Sequence, residues 1–308
     1  MVNYLIRRLF TSILVLFGIS ILVFSIIHLV PGDAVSAILG RQKVNAETVA
    51  QLRQQLGLND PIPVQYWRYL NKALHGDLGE SIRNYVPVSK AISEQLPSTI
   101  ALAFSALMLA LIVGFILGLV AALNHGTWLD TLAMGLSVSG LSIPTFWLGL
   151  LLIMLLSVNL GWFPSISTGS GFAALVLPTL TLGLPEASIV ARMVRASMLD
   201  VLSKEYITAA RAKGVPESMV ILKHAMRNAL IPVVTFVGLQ MAYLLGGSTI
   251  VETMFARQGI GRLAVQSISN RDYPMVQGVV LVTAVIYVLI NTLTDITYTL
   301  LNPKIRLK

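Results

Sequence analysis

Six stretches of the chain carry almost nothing but apolar side chains. Leu9–Val30, Pro97–Leu123, Leu132–Leu160 and Asn228–Val251 hold no Asp, Glu, Lys or Arg, whereas Phe172–Ala191 holds only Glu186 and Met275–Leu301 only Asp295. About 20 apolar residues in a helix cross a bilayer core, so each stretch is long enough to span. None alternates with the period of two that a membrane barrel strand requires, and a helix satisfies all its backbone groups within itself. The pattern therefore predicts an all-α polytopic membrane protein with six transmembrane helices. The first stretch is too long, and too closely followed by further spans, to read as a removable signal peptide.

Between the spans, two polar segments are long enough to fold. Residues 31–96 open with Pro31-Gly32-Asp33. They then predict a short helix over Ala46–Leu56 closed by Gly57, a turn at Asn59-Asp60-Pro61, a second helix over Gln65–Leu74 and a break at Gly76-Asp77-Leu78-Gly79. This is a small folded cap, read either as a plug over the bundle or as a docking surface. The second segment, Leu199–Arg227, predicts a helix over Leu199–Lys213 with Val201, Leu202, Tyr206, Ala209, Ala210 and Lys213 near one face. Gly214 stands where a helix C-terminus favours positive φ, and Pro216 where a first turn favours a fixed φ, so a second helix follows over Pro216–Arg227. Two short helices thus meet at a Gly-containing elbow flanked by small residues. A basic amphipathic loop resting on headgroups has the same spacing. The resulting organisation is an N-terminus and first helix (1–30), a cap (31–96), a five-helix core (97–301) carrying the elbow within 199–227, and a tail (302–308).

Charge sets the orientation. The segments 1–8, 124–131, 192–227 and 302–308 carry twelve Lys and Arg against four acids, while 31–96 and 252–274 carry ten against eight, over more residues. Long translocated loops weigh little in the positive-inside rule, and Arg7, Arg8 and the Lys304–Lys308 tail lie close to span ends. Both termini are expected in the cytoplasm. Composition agrees with the class: 55% of residues are apolar and 12% charged, about half the charge of an ordinary globular domain (~25%). A mean hydropathy of +0.77 excludes a water-soluble enzyme. The excess positive charge faces the inner leaflet, with no aromatic-studded basic domain to bind nucleic acid.

Chemistry of its own is sparse. There is no Cys, hence no thiol redox or zinc–cysteine site. No G-x-x-x-x-G-K-[ST], H-E-x-x-H, G-x-S-x-G or S-x-x-K occurs, so no catalytic, cofactor or metal residue is assigned. His28, His75, His125 and His224 are scattered and read as surface or interfacial groups, and Trp67, Trp128, Trp147 and Trp162 as interface anchors or packing. Gly114-x-x-x-Gly118 invites close helix packing, while Pro144, Pro178 and Pro185 predict kinks.

Several ordered strings resemble one family. Thr208-Ala209-Ala210-Arg211-Ala212-Lys213-Gly214 is similar to the E-A-A-x-x-x-G loop of the permease subunits of bacterial ABC importers. The longer Glu205–Gly214 string, followed by Leu222–Pro232, resembles the dipeptide/oligopeptide/nickel branch. So do Leu29–Asp33, Leu56-Gly57-Leu58, Gly76–Gly79, Gly246–Glu252, Gly259–Arg262, Arg271–Pro274 and Asn302–Arg306, which together run the length of the chain. The nearest likeness is to the first of two paired permeases, of the dipeptide or glutathione kind. Thr208 stands where the wider superfamily has Glu, and Arg227 where many members have Pro.

The resemblance implies a type I ABC importer permease fold with a folded external loop after the first helix, in the bacterial inner membrane. It implies a second, homologous permease subunit, two cytoplasmic ATPases that bind ATP and magnesium, an external solute-binding protein and a peptide substrate; nickel or metal-chelate uptake is the alternative. The loop residues Glu205, Tyr206, Ala209, Ala210, Lys213, Gly214 and Val215 would then dock on an ATPase. Inside the spans, Glu186, Asn291 and Asp295 are candidates for the translocation path. A polar residue in a span is expected to face water, a partner or a cavity; the structural alternative pairs Glu186 with Asn291 or Asn159. A membrane-embedded enzyme is the competing class, and it needs more ionisable groups at one depth than Glu186 and Asp295 supply.

Overall fold

A computed structural model describes residues 2–29, 59–167 and 171–301. Their helices are α1 (Val2–Leu29), α2 (Ile62–Leu74), α3 (Val88–Leu123) and α4 (Trp128–Ser142), then α5 (Thr145–Asn159), α6 (Phe172–Leu202), α7 (Glu205–Ala212) and α8 (Glu217–Ala229), and finally α9 (Ile231–Met254), α10 (Ile260–Ser269) and α11 (Tyr273–Leu301). Among these residues four helices are long and apolar enough to cross a membrane, or up to six if each bent pair forms one span. The predicted helix over Ala46–Leu56 lies outside the described residues.

Two elements differ from the hydropathy reading, each for a local reason. The span expected to begin at Pro97 begins at Val88, nine residues earlier, because Val88 and Ile92 are buried among α10 and α11 and extend the helix below its apolar stretch. The stretch Leu132–Leu160 is not one rod: α4 and α5 meet at 106°. Pro144 occupies the break, where its fixed φ and missing N–H end α4 and start α5. By contrast Pro178 and Pro185 are carried inside the continuous α6.

The chain divides into two compact units. The first comprises chiefly Met1–Pro97 and Gly259–Thr292. Its core gathers Val88, Ile92, Ile260, Leu263, Met275 and Val279, with Leu78 against them. Two strings far apart in sequence join here: the buried Asp272 accepts hydrogen bonds from Ser81 Oγ at 2.5 Å and from the Ile82 N–H at 3.2 Å. The turn is prepared by Gly76 and Gly79 at φ +81° and +82°, which places the 76–82 segment on the start of α11.

The second unit comprises chiefly Ser98–Gln258 and Leu293–Leu307, and one of its seams is α3 on α6. A Cβ on Gly114 would stand 2.5 Å from the Ala187 carbonyl oxygen, and one on Gly118 2.5 Å from that of Ala191. Only glycine lets the two backbones approach this closely, which is the packing that the G-x-x-x-G spacing predicts. At the Leu202 end of α6, Val194, Met198 and Val201 continue the same core with Ala122 of α3, Val220 and Ala225 of α8 and Val233 of α9.

Candidate functional site

The elbow is built from the backbone outward. The helix predicted over Leu199–Lys213 is interrupted at Ser203 and Lys204, where α6 ends and α7 begins. The break rotates α7 so that Ile207, fully buried, enters the core of Val194, Met198, Val201 and Val220. Strong helix formers flank this interruption on both sides, and no periodicity singles out Ile207; burial of its side chain outweighs the loss of regular helix at two residues.

The C-terminus of α7 closes as predicted. Gly214 has φ +76°, its N–H donates to the Arg211 carbonyl at 2.9 Å, and the Val215 N–H donates to the Ala210 carbonyl at 3.3 Å. These are the paired bonds of a Schellman cap, and Ala210 and Val215, which it brings together, both pack on the core. Pro216 lies one residue outside α8, with Glu217 opening the helix. Arg211 Nη2 and Nε donate to Glu217 at 2.6 and 3.0 Å, which clasps α7 to α8 across the glycine. This hydrogen-bonded pairing lowers the Glu217 pKa and raises that of Arg211. Tyr206 Oη accepts from Asn228 Nδ2 at 2.9 Å, a second tie between the two short helices.

What remains outside is a continuous face. Glu205, Tyr206, Ala209, Lys213 and Gly214 are exposed, and Ala210 and Val215 are half-buried beneath them. Among the described residues, none other than its chain neighbours lies within 4 Å of a Cβ built on Gly214. Small residues and a bare glycine thus offer their backbone to an approaching surface, while Ile207 fixes the platform to the ends of α3 and α6.

The candidates inside the spans are less uniform. Glu186 is buried in α6, with Gln240 of α9 as its side-chain hydrogen-bond partner and Oε2 left without one. Neither Asn159 nor Asn291 is that partner; Gln240 lies 54 residues away on α9, where sequence spacing gives no hint of it. Asn291 and Asp295 are both half-buried on α11. Spacing gives no hint either of an ion pair between α4 and α6, in which Asp130 is buried and Arg195 half-buried. Asp130 of α4 receives Arg195 Nε and Nη2 of α6 at 2.6 and 2.7 Å, together with the Gly126 N–H at 3.1 Å. His125, read from sequence as an isolated surface group, stands 3.1 Å from both Asp130 and Arg195. Near the far end of α9, the fully buried Glu252 accepts from Thr99 Oγ1 at 2.6 Å. α9 runs on to Met254, so Glu252, one residue beyond the apolar stretch that ends at Val251, lies within the helix.

Comparison with known proteins places this architecture. Residues 114–307 match the family described as "Binding-protein-dependent transport system inner membrane component", and residues 1–103 its N-terminal companion, "Binding-prot-dependent transport system membrane comp, N-term". The chain is 45% identical to the glutathione transport system permease protein GsiC of Salmonella paratyphi A and 44% identical to that of Escherichia coli K12, each over 308 residues and the full length of both chains. Among solved structures, an inward-facing MetNI methionine ABC transporter aligns with a TM-score of 0.57 at 24% identity, over 68% of this chain and 96% of that one. An amino acid ABC transporter aligns with a TM-score of 0.56 at 17% identity, over 68% and 94%. The chain belongs to the family of inner membrane permease components of binding-protein-dependent transport systems.

Proposed function

We propose that the chain is one of two paired permease subunits of an ATP-driven importer of short peptides, glutathione among them. The second permease completes the translocation path, an external binding protein delivers the substrate, and two cytoplasmic ATPases bind ATP with magnesium and hydrolyse it. The observation that carries the reading is the elbow: Glu205, Tyr206, Ala209, Lys213 and Gly214 form an exposed face on a platform anchored through Ile207 to the core at the end of α6. An ATPase closing against that face moves the α6 end directly, because the clasp between Arg211 and Glu217 ties α7 to α8. Both termini and the elbow lie in the cytoplasm. Glu186 and Gln240 face the path, where a carboxylate attracts the amino group of a peptide, and Asp295 and, separately, Asn291 are further polar candidates for it.

The chain has no cysteine, so one introduced cysteine reports on one place. Glu217→Cys in sealed cells should resist an impermeant maleimide, while Lys72→Cys should react; labelling of position 217 from outside overturns the orientation and the coupling with it. For substrate, uptake of labelled glutathione and of a labelled dipeptide is measured in cells carrying the complete transporter. Uptake of neither, with the complex assembled, contradicts the peptide reading.

A further inference from the structure

We propose that α6 bends at Pro185 during transport, while its other internal proline, Pro178, is held rigid by Ser167 and the positioning residue Arg257. Proline has no N–H, so each leaves the carbonyl four residues earlier without its helical partner: that of Ala174 for Pro178, and that of Thr181 for Pro185. The two carbonyls are treated differently. Ser167 Oγ donates to the Ala174 carbonyl at 2.5 Å, supplying the bond that Pro178 withholds. Ser167 is fixed in turn. Its N–H donates to the Phe255 carbonyl at 2.7 Å, and its hydroxyl oxygen accepts from Arg257 Nη1 at 3.0 Å. Arg257 Nη2 also reaches the Ser98 carbonyl at 3.4 Å. Ser167 and Arg257 are both buried, where a hydrogen bond is stronger than in water. Thr181 has no such brace. Its side chain bonds back to the Leu177 carbonyl at 2.8 Å, and among the described residues no side chain donates to its own carbonyl. An unbraced proline is the point at which a membrane helix yields.

The neighbours of α6 divide at the same level. On the Phe172 side of Pro185, Thr179 shares a hydrogen bond of 2.8 Å with Ser105 of α3, and Thr181 lies against Gly149 of α5. On the Leu202 side, Ser188 lies against Gly140 of α4, and Arg195 donates to Asp130 of α4 at 2.6 and 2.7 Å. The break at Pro144 separates α4 from α5, so α4 follows the Leu202 part of α6 without dragging α5. α3 passes this level unbroken, but beyond it the contact is glycine on backbone, Gly114 against Ala187 and Gly118 against Ala191. Such a contact interlocks no long side chains at the glycines, so one helix tilts on the other. The Leu202 end of α6 also carries the elbow, through Ile207 on Val194, Met198 and Val201. A push on the elbow therefore tilts residues 186–202 with α4, and leaves residues 172–181 with α3 and α5. That an ATPase supplies the push rests on the function proposed above; the brace at Pro178 does not.

Alanine restores the N–H that proline lacks, so substitution tests the two prolines separately in the assembled transporter. The brace is read as melting temperature in detergent. Ser167→Ala should lower it by roughly 3 °C, the scale of one lost buried hydrogen bond in a chain of this size. The same change should cost much less in a Pro178→Ala background, where residue 178 bonds Ala174 directly. Equal losses with and without Pro178 overturn the brace. The bend is read as labelled dipeptide imported per ATP hydrolysed in vesicles. Pro185→Ala should assemble in normal amount and hydrolyse ATP but lose most of its import, while Pro178→Ala keeps it. Import unchanged by Pro185→Ala, or lost equally with Pro178→Ala, overturns the bend. If Pro185→Ala fails to assemble, Pro185→Leu gives the same readout. Absence of import by the unsubstituted complex contradicts the importer reading instead, and the melting measurements test the brace whatever is transported.

Discussion

The elbow and the α3–α6 seam are both organised around glycines, and the glycines do opposite things. Gly114 and Gly118 are enclosed, with a neighbouring carbonyl where a Cβ would stand. Gly214 has open space around that position and is required only for its φ of +76°. The seam uses glycine to remove volume inside the chain; the elbow uses it to turn the backbone and leave a flat, bare surface outside. Loss of glycine from the seam is a packing fault, whereas loss from the elbow is a fault of conformation and of whatever approaches. Stability and transport should therefore separate between the two regions.

The largest expected effect belongs to neither glycine but to the buried pair that braces the seam's partner helix. Asp130→Ala leaves Arg195 without its carboxylate, a change of about 3 kcal/mol when one member of a buried pair is removed, lessened by the quarter of the Arg195 side chain that is exposed. Loss of the chain from the membrane fraction, or a clearly lowered melting temperature in detergent, checks it. Gly118→Val comes next, at about 2 kcal/mol from overpacking against Ala191 and Val194, and its abundance should fall together with uptake.

Gly214→Val sharpens the contrast. The strain of a β-branched residue at positive φ is about 1–2 kcal/mol, and among the described residues none beyond its chain neighbours stands within 4 Å of the added Cβ. The protein should accumulate in the membrane while uptake is lost. Gly214→Asn is the companion, since Asn tolerates left-handed φ. If uptake is lost with Asn as well, an approaching surface needs the bare glycine; if Asn keeps uptake, only the backbone turn matters.

The smallest effect is that of pH on the Arg211–Glu217 clasp. Pairing holds the Glu217 pKa below its ordinary value, so its contribution is present above the usual carboxylate range and fades as pH falls through the lowered folded value. Both groups are exposed, so the change is small. Glu217→Gln should leave transport near neutral pH slightly reduced and remove the acid-side component of any loosening of 205–217 seen by hydrogen exchange. A large effect at neutral pH would mean that Glu217 contacts a partner directly.

How far each region could be read from sequence follows the same division. The cap at Gly214 and the G-x-x-x-G seam depend on residues a few positions apart, and both emerged from spacing alone. The hydropathy of the spans is likewise a local property and located most of the long helices. What escaped was non-local. Asp130 and Arg195 are 65 residues apart and Glu186 and Gln240 are 54, so nothing in their surroundings announces the partner. The break at Ser203–Lys204 escaped because it is dictated by Ile207 finding the core, against good helix propensity. The early start of α3 at Val88 escaped because burial, not membrane thickness, sets it.

The central claim is that the face of α7 receives an ATPase. The most direct measurement places a photocrosslinking amino acid at Ala209, which is exposed, and in a second protein at Ile207, which is fully buried, in cells carrying the complete transporter. Irradiation at 209 should yield an adduct with the ATPase subunit, identified by mass spectrometry, while position 207 should yield none with it. An assembled, transporting complex that gives no ATPase adduct from position 209 would contradict the account.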